Sequence, residues 1–162
     1  MSGYHLAQIN VGRFIHLRDD ATNADFMAGL DPVNAQADSA SGFVWRLIGD
    51  GNDATDLVPD ENDPQLLVNM SVWTDVEALG AFVYRNSDHL SFMRRRKEWF
   101  EKIEVFQALW WVPVGHIPSV AEGIERVALL RAIGPSADAF TFRNTFSAPD
   151  GMPATPVLDE CG

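Results

Sequence analysis

The sequence predicts an α+β fold of the ferredoxin-like type, in which two helices cover one face of an antiparallel sheet. Two observations favour this fold. Segments with strand character and segments with helical periodicity follow one another in the order β-α-β-β-α-β. A further helical segment then follows the fourth strand. With 162 residues, the chain is long enough to bury a core as one domain.

Four segments have the apolar composition and turn-rich flanks of strands. They are YHLAQINVGR (4–13), GFVWRLIG (42–49), QLLVNMSVW (65–73) and VFQALWWVPV (105–114). The last three are apolar at nearly every position, which is typical of a sheet that is buried on both faces. Because a ferredoxin-like sheet has helices on one face only, we expect a second copy of the chain to cover the other face, as a homodimer.

The first helical segment, TNADFMAGLDPVNAQADSAS (22–41), has the pattern of two linked pieces. Thr22 is a candidate N-cap for the first piece. Asp31 followed by Pro32 is typical of a new helix start, because proline is favoured at the first helical position. We therefore expect an interruption near residue 31.

Two further helical regions follow the third and fourth strands. TDVEALGAFVYRN (74–86) is expected to restart as SDHLSFMRRRKEWFEKI (87–103), with Ser87 as the N-cap. In SVAEGIERVALLRAI (119–133), Ser119 and Glu122 have the spacing of a capping box. DAFTFRNTF (138–146) is a candidate for a last short strand. We expect residues 1–146 to form the single folded domain and residues 147–162 to form a flexible tail.

Composition and charge exclude several classes of function. The formal net charge of −11 disfavours nucleic acid and anionic membranes as partners, since phosphate backbones require basic surfaces. The single cysteine, Cys161, excludes an internal disulfide, and the four histidines lack metal-binding spacing. DGNDATD (50–56) lacks the glycine that a calcium loop has at its sixth position. With no leader pattern or membrane-spanning run, the expected location is the cytoplasm, and we expect no metal.

Helical geometry separates the charged side chains of SDHLSFMRRRKEWFE (87–101) into two groups. At about 100° per residue, His89 and Arg96 fall in the middle of an apolar stripe. The neighbouring charged residues fall on the outer face; these are Arg94, Arg95, Lys97 and Glu98. A buried arginine requires an anion, which either a protein carboxylate or a ligand can supply. We therefore regard His89 and Arg96 as candidate catalytic residues, with a structural ion pair and a backbone-bonded histidine as the alternative.

Polar side chains also interrupt the strands. The first and third strands are the central neighbours of a ferredoxin-like sheet, so their polar residues are expected to form an island among aromatic side chains. The candidate ligand-binding residues are Gln8, Asn10, Asn69, Ser71, Trp73 and Trp111. An amide network that satisfies itself is an equally good interpretation.

Four stretches resemble the bacterial domain of unknown function 3291 family over residues 4–142. They are LDPVNAQADSASGFVWRL, SVWTDVEALGAFVYRNSDHLSFMRRRKEWF, LWWVPVGHIPSVAEGIERVALLRAIGP and AFTF. The layout is also similar to the wider group of dimeric α+β barrels, which includes antibiotic-biosynthesis monooxygenases and haem-degrading monooxygenases. The resemblance to haem-degrading members places Asn10, Trp73 and His89 at comparable positions and implies haem as a candidate cofactor.

The sequence therefore predicts a homodimeric barrel protein that binds a small apolar or aromatic ligand in a pocket between sheet and helices. Arg96 would hold an anionic group, and His89 would serve as acid, base or axial ligand. By resemblance alone, any chemistry would be monooxygenase-like. The alternative is a non-catalytic binding or accessory homodimer whose buried charges are structural.

Overall fold

The computed structural model describes residues 3–49, 55, 57 and 59–150. Within these residues the chain follows the predicted order, including the predicted helix after the fourth strand. The elements are β1 (Tyr4–Arg13), α1 (Ala24–Asp38), β2 (Phe43–Arg46), β3 (Leu66–Trp73), α2 (Val76–Arg85), α3 (Ser87–Arg94), α4 (Arg96–Trp99), β4 (Gln107–Pro113) and α5 (Val120–Ile133). The fold class is therefore α+β and ferredoxin-like, as predicted.

The four strands form one antiparallel sheet in the order β2-β3-β1-β4. The prediction that β1 and β3 are central neighbours is thus confirmed. In their register Gln8 lies opposite Ser71, and Asn10 lies opposite Asn69. The pairing brings the four polar candidates of these strands together on one face of the sheet.

Helices cover both faces of the sheet. On the first face, Val76, Leu79 and Val83 of α2 pack with Leu6 and Trp73 of the strands. Because strand side chains alternate between faces, Ile9 and Met70 point to the second face. There they form a core with residues of α5, which include Val127 and Leu130.

The close packing of α5 removes the need for a second copy of the chain to cover the second face of the sheet. A Cβ atom at Gly123 would lie only 2.7 Å from Cδ1 of Ile9, so α5 approaches the sheet through a glycine. The strands are apolar on both faces partly because a helix of the same chain covers the second face. The sequence argument placed helices on one face only and did not place α5.

The first helical region departs from prediction at two points. A 3-10 turn, Ala21–Asn23, precedes α1, and its N-cap is Asp20, whose side chain accepts from the Thr22 N–H. Helix α1 is continuous through Pro32, so the expected interruption is wrong. Since α1 buries residues on both sides of the proline, Phe26 before it and Ala37 after it, tertiary packing holds the two halves together.

The predicted restart after α2 is present, but its cap is Asn86 and not Ser87. The side-chain oxygen of Asn86 accepts a hydrogen bond from the His89 N–H at 3.0 Å. A second break at Arg95 separates α3 from α4. Ser119 caps α5 as predicted, by accepting from the Glu122 N–H. The Glu122 carboxylate instead binds His116 and Trp110, so only half of the predicted capping box forms.

The predicted last strand is reduced to two isolated bridges: Phe140 exchanges backbone hydrogen bonds with Leu109, and Ala139 exchanges them with Ser136. The following segment packs against the domain. Ala148 is 4% exposed, and the Asp150 carboxylate accepts from the Gly3 N–H at 2.7 Å. The packed region therefore extends past the predicted boundary at residue 146. The calcium-like sequence at 50–56, apart from Thr55, and residues 151–162 lie outside the described residues, so a flexible tail there stays a prediction.

None of the helices in the described part of the chain is long and apolar enough to cross a membrane.

Candidate ligand-binding site

A cavity of about 170 Å³ lies between the first face of the sheet and helices α1–α4. Aromatic and aliphatic side chains form most of its wall, and a small number of polar groups converge on it, as in ligand sites generally. It brings together seven of the eight candidate residues: Gln8, Asn10, Asn69, Ser71, Trp73, His89 and Arg96. A cavity of similar size, about 150 Å³, holds benzene in a well-studied engineered case.

The floor of the cavity is a hydrogen-bonded network across β1 and β3. The Gln8 side-chain amide donates to Asn69 Oδ1 at 2.9 Å and to Ser71 Oγ at 2.8 Å. Asn10 donates to Gln8 Oε1 and to Asn69 Oδ1, both at 3.2 Å. The Trp73 indole N–H donates to Ser71 Oγ at 2.9 Å. These amides therefore satisfy one another, as in the network alternative, and they still present a polar strip to the cavity.

His89 is held against the cavity wall by its backbone and by its ring. The Asn86 cap fixes the start of α3, and the His89 Nδ1 atom lies 3.1 Å from the Val83 carbonyl oxygen. The imidazole packs on Phe82 with ring centroids 5.0 Å apart, and Phe82 stacks on Trp73. Burial lowers the pKa of His89 below its usual 6.5, and the hydrogen bond to Val83 only partly offsets this. The ring is thus neutral near pH 7.

Arg96 points inward, as helical geometry predicted, but it has no acidic partner among the residues that the structure describes. Its guanidinium donates to the Val11 carbonyl oxygen at 3.0 Å. It lies over two aromatic rings, 4.5 Å from the centroid of Phe106 and 5.1 Å from that of Phe100. Among the described residues no carboxylate lies within 4.0 Å of it. Burial lowers its pKa, although an arginine stays charged near neutral pH.

The adjacent arginine has the opposite environment. Arg95 is exposed and forms ion pairs at 2.8 Å with Asp25 and with Glu98. These hydrogen bonds raise the pKa of Arg95 above its usual range. Arg94 and Lys97 are also exposed. Arg95 on the outer face of the helix therefore has acidic partners, whereas the half-buried Arg96 inside has none in the described part of the chain.

The structure adds cavity residues that the sequence analysis did not select. Asn34 and Gln107 line the cavity, and so does Arg46, which forms an ion pair with Asp38 at 2.7 Å. Asn34 had a usable signal, because its spacing from Leu30 and Ala37 places it on the inner side of α1. Arg46 had no such signal. Its sequence position in a strand does not predict that the fold brings Asp38, a residue of helix α1, beside it.

Trp111 is the candidate residue that the structure places elsewhere. It lines a separate, shallow groove near His116, and its indole N–H donates to the Phe146 carbonyl oxygen at 2.8 Å. Trp111 lies on the same sheet face as Leu109. However, the segment after α5 covers that end of the face, so Trp111 does not reach the cavity.

The resemblance raised haem as a cofactor, and the cavity does not fit it. One feature matches, since a metal-binding histidine usually has its second ring nitrogen held by a hydrogen bond. The volume of about 170 Å³ does not match. It is below the roughly 300–1,000 Å³ of sites for drug-sized ligands, and a haem is larger than such ligands. Among the described residues, no group of three or more His, Cys, Asp or Glu side chains is arranged to hold a metal ion.

Comparison with solved structures finds similar folds at low sequence identity. A putative antibiotic biosynthesis monooxygenase from Nitrosomonas europaea is 13% identical with a TM-score of 0.49, covering 74% of this chain and 98% of that one. SnoaB, a cofactor-independent oxygenase from Streptomyces nogalater, is 15% identical with a TM-score of 0.48, covering 71% and 98%. A putative antibiotic biosynthesis monooxygenase from Chloroflexus aurantiacus is 16% identical with a TM-score of 0.47, covering 70% and 97%.

Comparison with curated protein sequences finds no match. The sequence does match the family described as Domain of unknown function (DUF3291), over residues 5–155. This match includes all the candidate residues and nearly the whole chain, so the protein belongs to the DUF3291 family.

Proposed function

We propose that the protein binds a small apolar or aromatic acid, about one ring in size, in the cavity between the sheet and helices α1–α4. The observation that carries this proposal is the half-buried, inward-facing guanidinium of Arg96, which has no carboxylate partner among the described residues. A buried charge without a partner is unfavourable, so an anionic ligand would stabilise it. The cavity volume supports the size of the ligand.

The electrostatic setting supports the same choice of ligand. The chain carries a formal net charge of −11, yet among the described residues the two acidic partners belong to the exposed Arg95 rather than to the half-buried Arg96. A planar guanidinium binds a carboxylate through two parallel hydrogen bonds. The faces of Phe100 and Phe106 hold the guanidinium in position for such a contact.

Thermal-shift measurements on pairs of matched ligands test this proposal. Benzoate and phenylacetate are each compared with the uncharged carboxamide of the same shape. A ligand specific to the native state raises the melting temperature, so both acids should raise it and the amides should not. Equal shifts with acids and amides, or no shift with either acid, would show that the cavity does not select an anion.

Monooxygenase-like chemistry in the same cavity is a second candidate, and the state of His89 favours it. A neutral imidazole with one unprotonated nitrogen can remove a proton from the hydroxyl group of an electron-rich aromatic substrate. Loss of that proton would prepare the substrate for reaction with oxygen. The choice of oxygen as co-reactant comes from the family resemblance alone. Oxygen uptake in the presence of a bound acid would support the enzyme, whereas tight binding without uptake would support a non-catalytic accessory protein.

A homodimer remains part of the proposal. Helix α5 packs on β4, β1 and β3, whereas β2 forms an edge of the sheet. On and beside that edge, Val44 is 39% exposed and Ile48 is 47% exposed. An unpaired edge strand with exposed apolar side chains is suited to pairing with a second copy of itself.

A further inference from the structure

The hydrogen bond made by His89 fixes which ring nitrogen carries the proton. The Nδ1 atom lies 3.1 Å from the Val83 carbonyl oxygen. A carbonyl oxygen only accepts hydrogen bonds, so Nδ1 must be the donor. In the neutral ring the other nitrogen, Nε2, is therefore unprotonated and is a hydrogen-bond acceptor.

The Nε2 atom has no donor within the described part of the chain. The N–H groups of Gln8 and Asn10 on the cavity floor are already bound to oxygens of neighbouring side chains. Among the described residues, Asn23 Oδ1 is the one side-chain oxygen or nitrogen that is inaccessible to solvent and also has no hydrogen-bond partner. An unpartnered Nε2 of His89 must therefore be accessible, and His89 is one of the residues that line the cavity.

Two unmatched groups of opposite hydrogen-bonding character thus line one cavity. Arg96 offers N–H donors and positive charge, whereas His89 offers a neutral acceptor. A carboxylate satisfies the first group but cannot satisfy the second, because an ionised carboxylate has no proton to donate. A ligand that leaves a buried acceptor without a donor loses the free energy of that hydrogen bond with water.

We infer that the ligand is a hydroxylated single-ring acid, whose anionic group binds Arg96 and whose ring hydroxyl donates a hydrogen bond to Nε2 of His89. This inference rests on the proposed function and names the class of ligand more closely. A site built to bind a hydroxyl discriminates strongly against the analogue that lacks it.

Isothermal titration calorimetry at pH 7.5 with the three isomers of hydroxybenzoate tests this inference. Each isomer is compared with its methoxybenzoate, which has the oxygen but not the donated proton, and with benzoate. At least one hydroxybenzoate should bind about 3- to 10-fold more tightly than both comparators, the gain expected of one neutral hydrogen bond. If no isomer binds more tightly than benzoate, the inference is wrong.

Variants show whether the gain depends on His89. In His89→Phe, which keeps a flat ring but has no acceptor, the ratio of hydroxybenzoate to benzoate affinity should fall to about one. In His16→Phe, a change at an exposed histidine, the ratio should remain as in the parent protein. A ratio that survives in His89→Phe would overturn the inference.

Nitrogen NMR of the parent protein provides a test that needs no variant. The His89 Nε2 resonance should be that of an unprotonated nitrogen, and it should shift on addition of the preferred hydroxybenzoate while Nδ1 stays protonated. A protonated Nε2 in the free protein at pH 7.5 would overturn the inference. If benzoate binds but a hydroxyl adds nothing, the inference fails alone; if none of the acids binds, the proposed function fails with it.

Discussion

At the residue scale, side chains that are adjacent in sequence have opposite environments. Arg95 is exposed and paired with two carboxylates, whereas Arg96 is half-buried and lies over two aromatic rings. Helical periodicity predicted this difference, because a rotation of about 100° per residue separates the two side chains. Periodicity could not predict whether Arg96 has an acidic partner, since that depends on carboxylates brought close by other elements. The same limit explains why the Arg46–Asp38 ion pair was missed.

Ser71 is predicted to stabilise the cavity floor. Its hydroxyl oxygen accepts from Gln8 at 2.8 Å and from Trp73 at 2.9 Å. Ser71→Ala leaves both buried donors without that acceptor and should lower the free energy of unfolding by about 2 kcal/mol. Urea denaturation measures the change, with Ser39→Ala on an exposed serine as the control. A loss of less than about 0.5 kcal/mol would mean that the network contributes little to stability.

His89 is predicted to make stability depend on pH below about 6.5. Because burial lowers the pKa of His89 in the folded protein, the unfolded chain takes up the proton first as the pH falls. The free energy of unfolding therefore has its full value above pH 6.5 and declines as the pH falls toward the folded pKa. His89→Phe lacks this decline, so the stability difference between parent and variant should shrink between pH 7 and pH 5.

Urea denaturation across this pH range measures the effect of His89. The matched change at an exposed histidine, His16→Phe, should give a much flatter difference from the parent. Parallel stability curves for the parent protein and His89→Phe would show that the pKa of the buried imidazole is not lowered.

At the scale of secondary-structure elements, the sequence predicted the helices and strands better than their ends. Asn86 and Ser87 are adjacent and both can cap a helix, and sequence alone does not decide between them. Pro32 was expected to end a helix, but α1 continues because Phe26 and Ala37 are buried on either side of it. Element ends are set by tertiary packing as much as by local preference.

The contact between α1 and α3 is predicted to depend on Gly29. A Cβ atom at this position would lie 2.5 Å from Cε2 of Phe92, a ring that lines the cavity and stacks on Phe26. Alanine is favoured over glycine within a helix by about 1 kcal/mol, so propensity and packing act in opposite directions. We expect packing to dominate, with Gly29→Ala lowering the free energy of unfolding by about 1–2 kcal/mol.

Repeating Gly29→Ala in a Phe92→Leu variant shows whether contact with the Phe92 ring causes the loss of stability. In Phe92→Leu, the smaller side chain should leave room for the added methyl group, so Gly29→Ala should become neutral or stabilising there. The four proteins of this cycle are compared by urea denaturation. If Gly29→Ala stabilises the parent protein, the approach of α1 to α3 is looser than the contact distance indicates.

At the scale of the whole molecule, strand order was predictable and the cover of the second face was not. The order of elements was sufficient to place β1 beside β3, and thus to bring Gln8 and Asn10 opposite Ser71 and Asn69. Helix α5 was recognised as a helix, but its periodicity does not say which surface it packs against. That surface is the second face of the sheet, which the sequence analysis had assigned to another copy of the chain.

The homodimer is therefore predicted to involve the β2 edge. Sedimentation velocity at micromolar concentration should show a dimer, and Val44→Asp combined with Ile48→Asp should convert it to a monomer. The control is Ile133→Asp, at the exposed end of α5, which should remain dimeric. A parent protein that sediments as a monomer would contradict the proposed assembly and would leave the cavity, which lies within one chain, unaffected.

The central claim is that a ligand anion binds the inward-facing guanidinium of Arg96. The most direct measurement is calorimetric titration of benzoate into the parent protein, Arg96→Gln and Arg94→Gln. The two arginines lie two residues apart, but only Arg96 lines the cavity. Arg96→Gln should weaken benzoate binding about 10- to 100-fold, because hydrogen bonds to a charged group contribute about that much to affinity. Arg94→Gln should leave the affinity within about 2-fold of that of the parent protein. Equal affinity in all three proteins would contradict the claim.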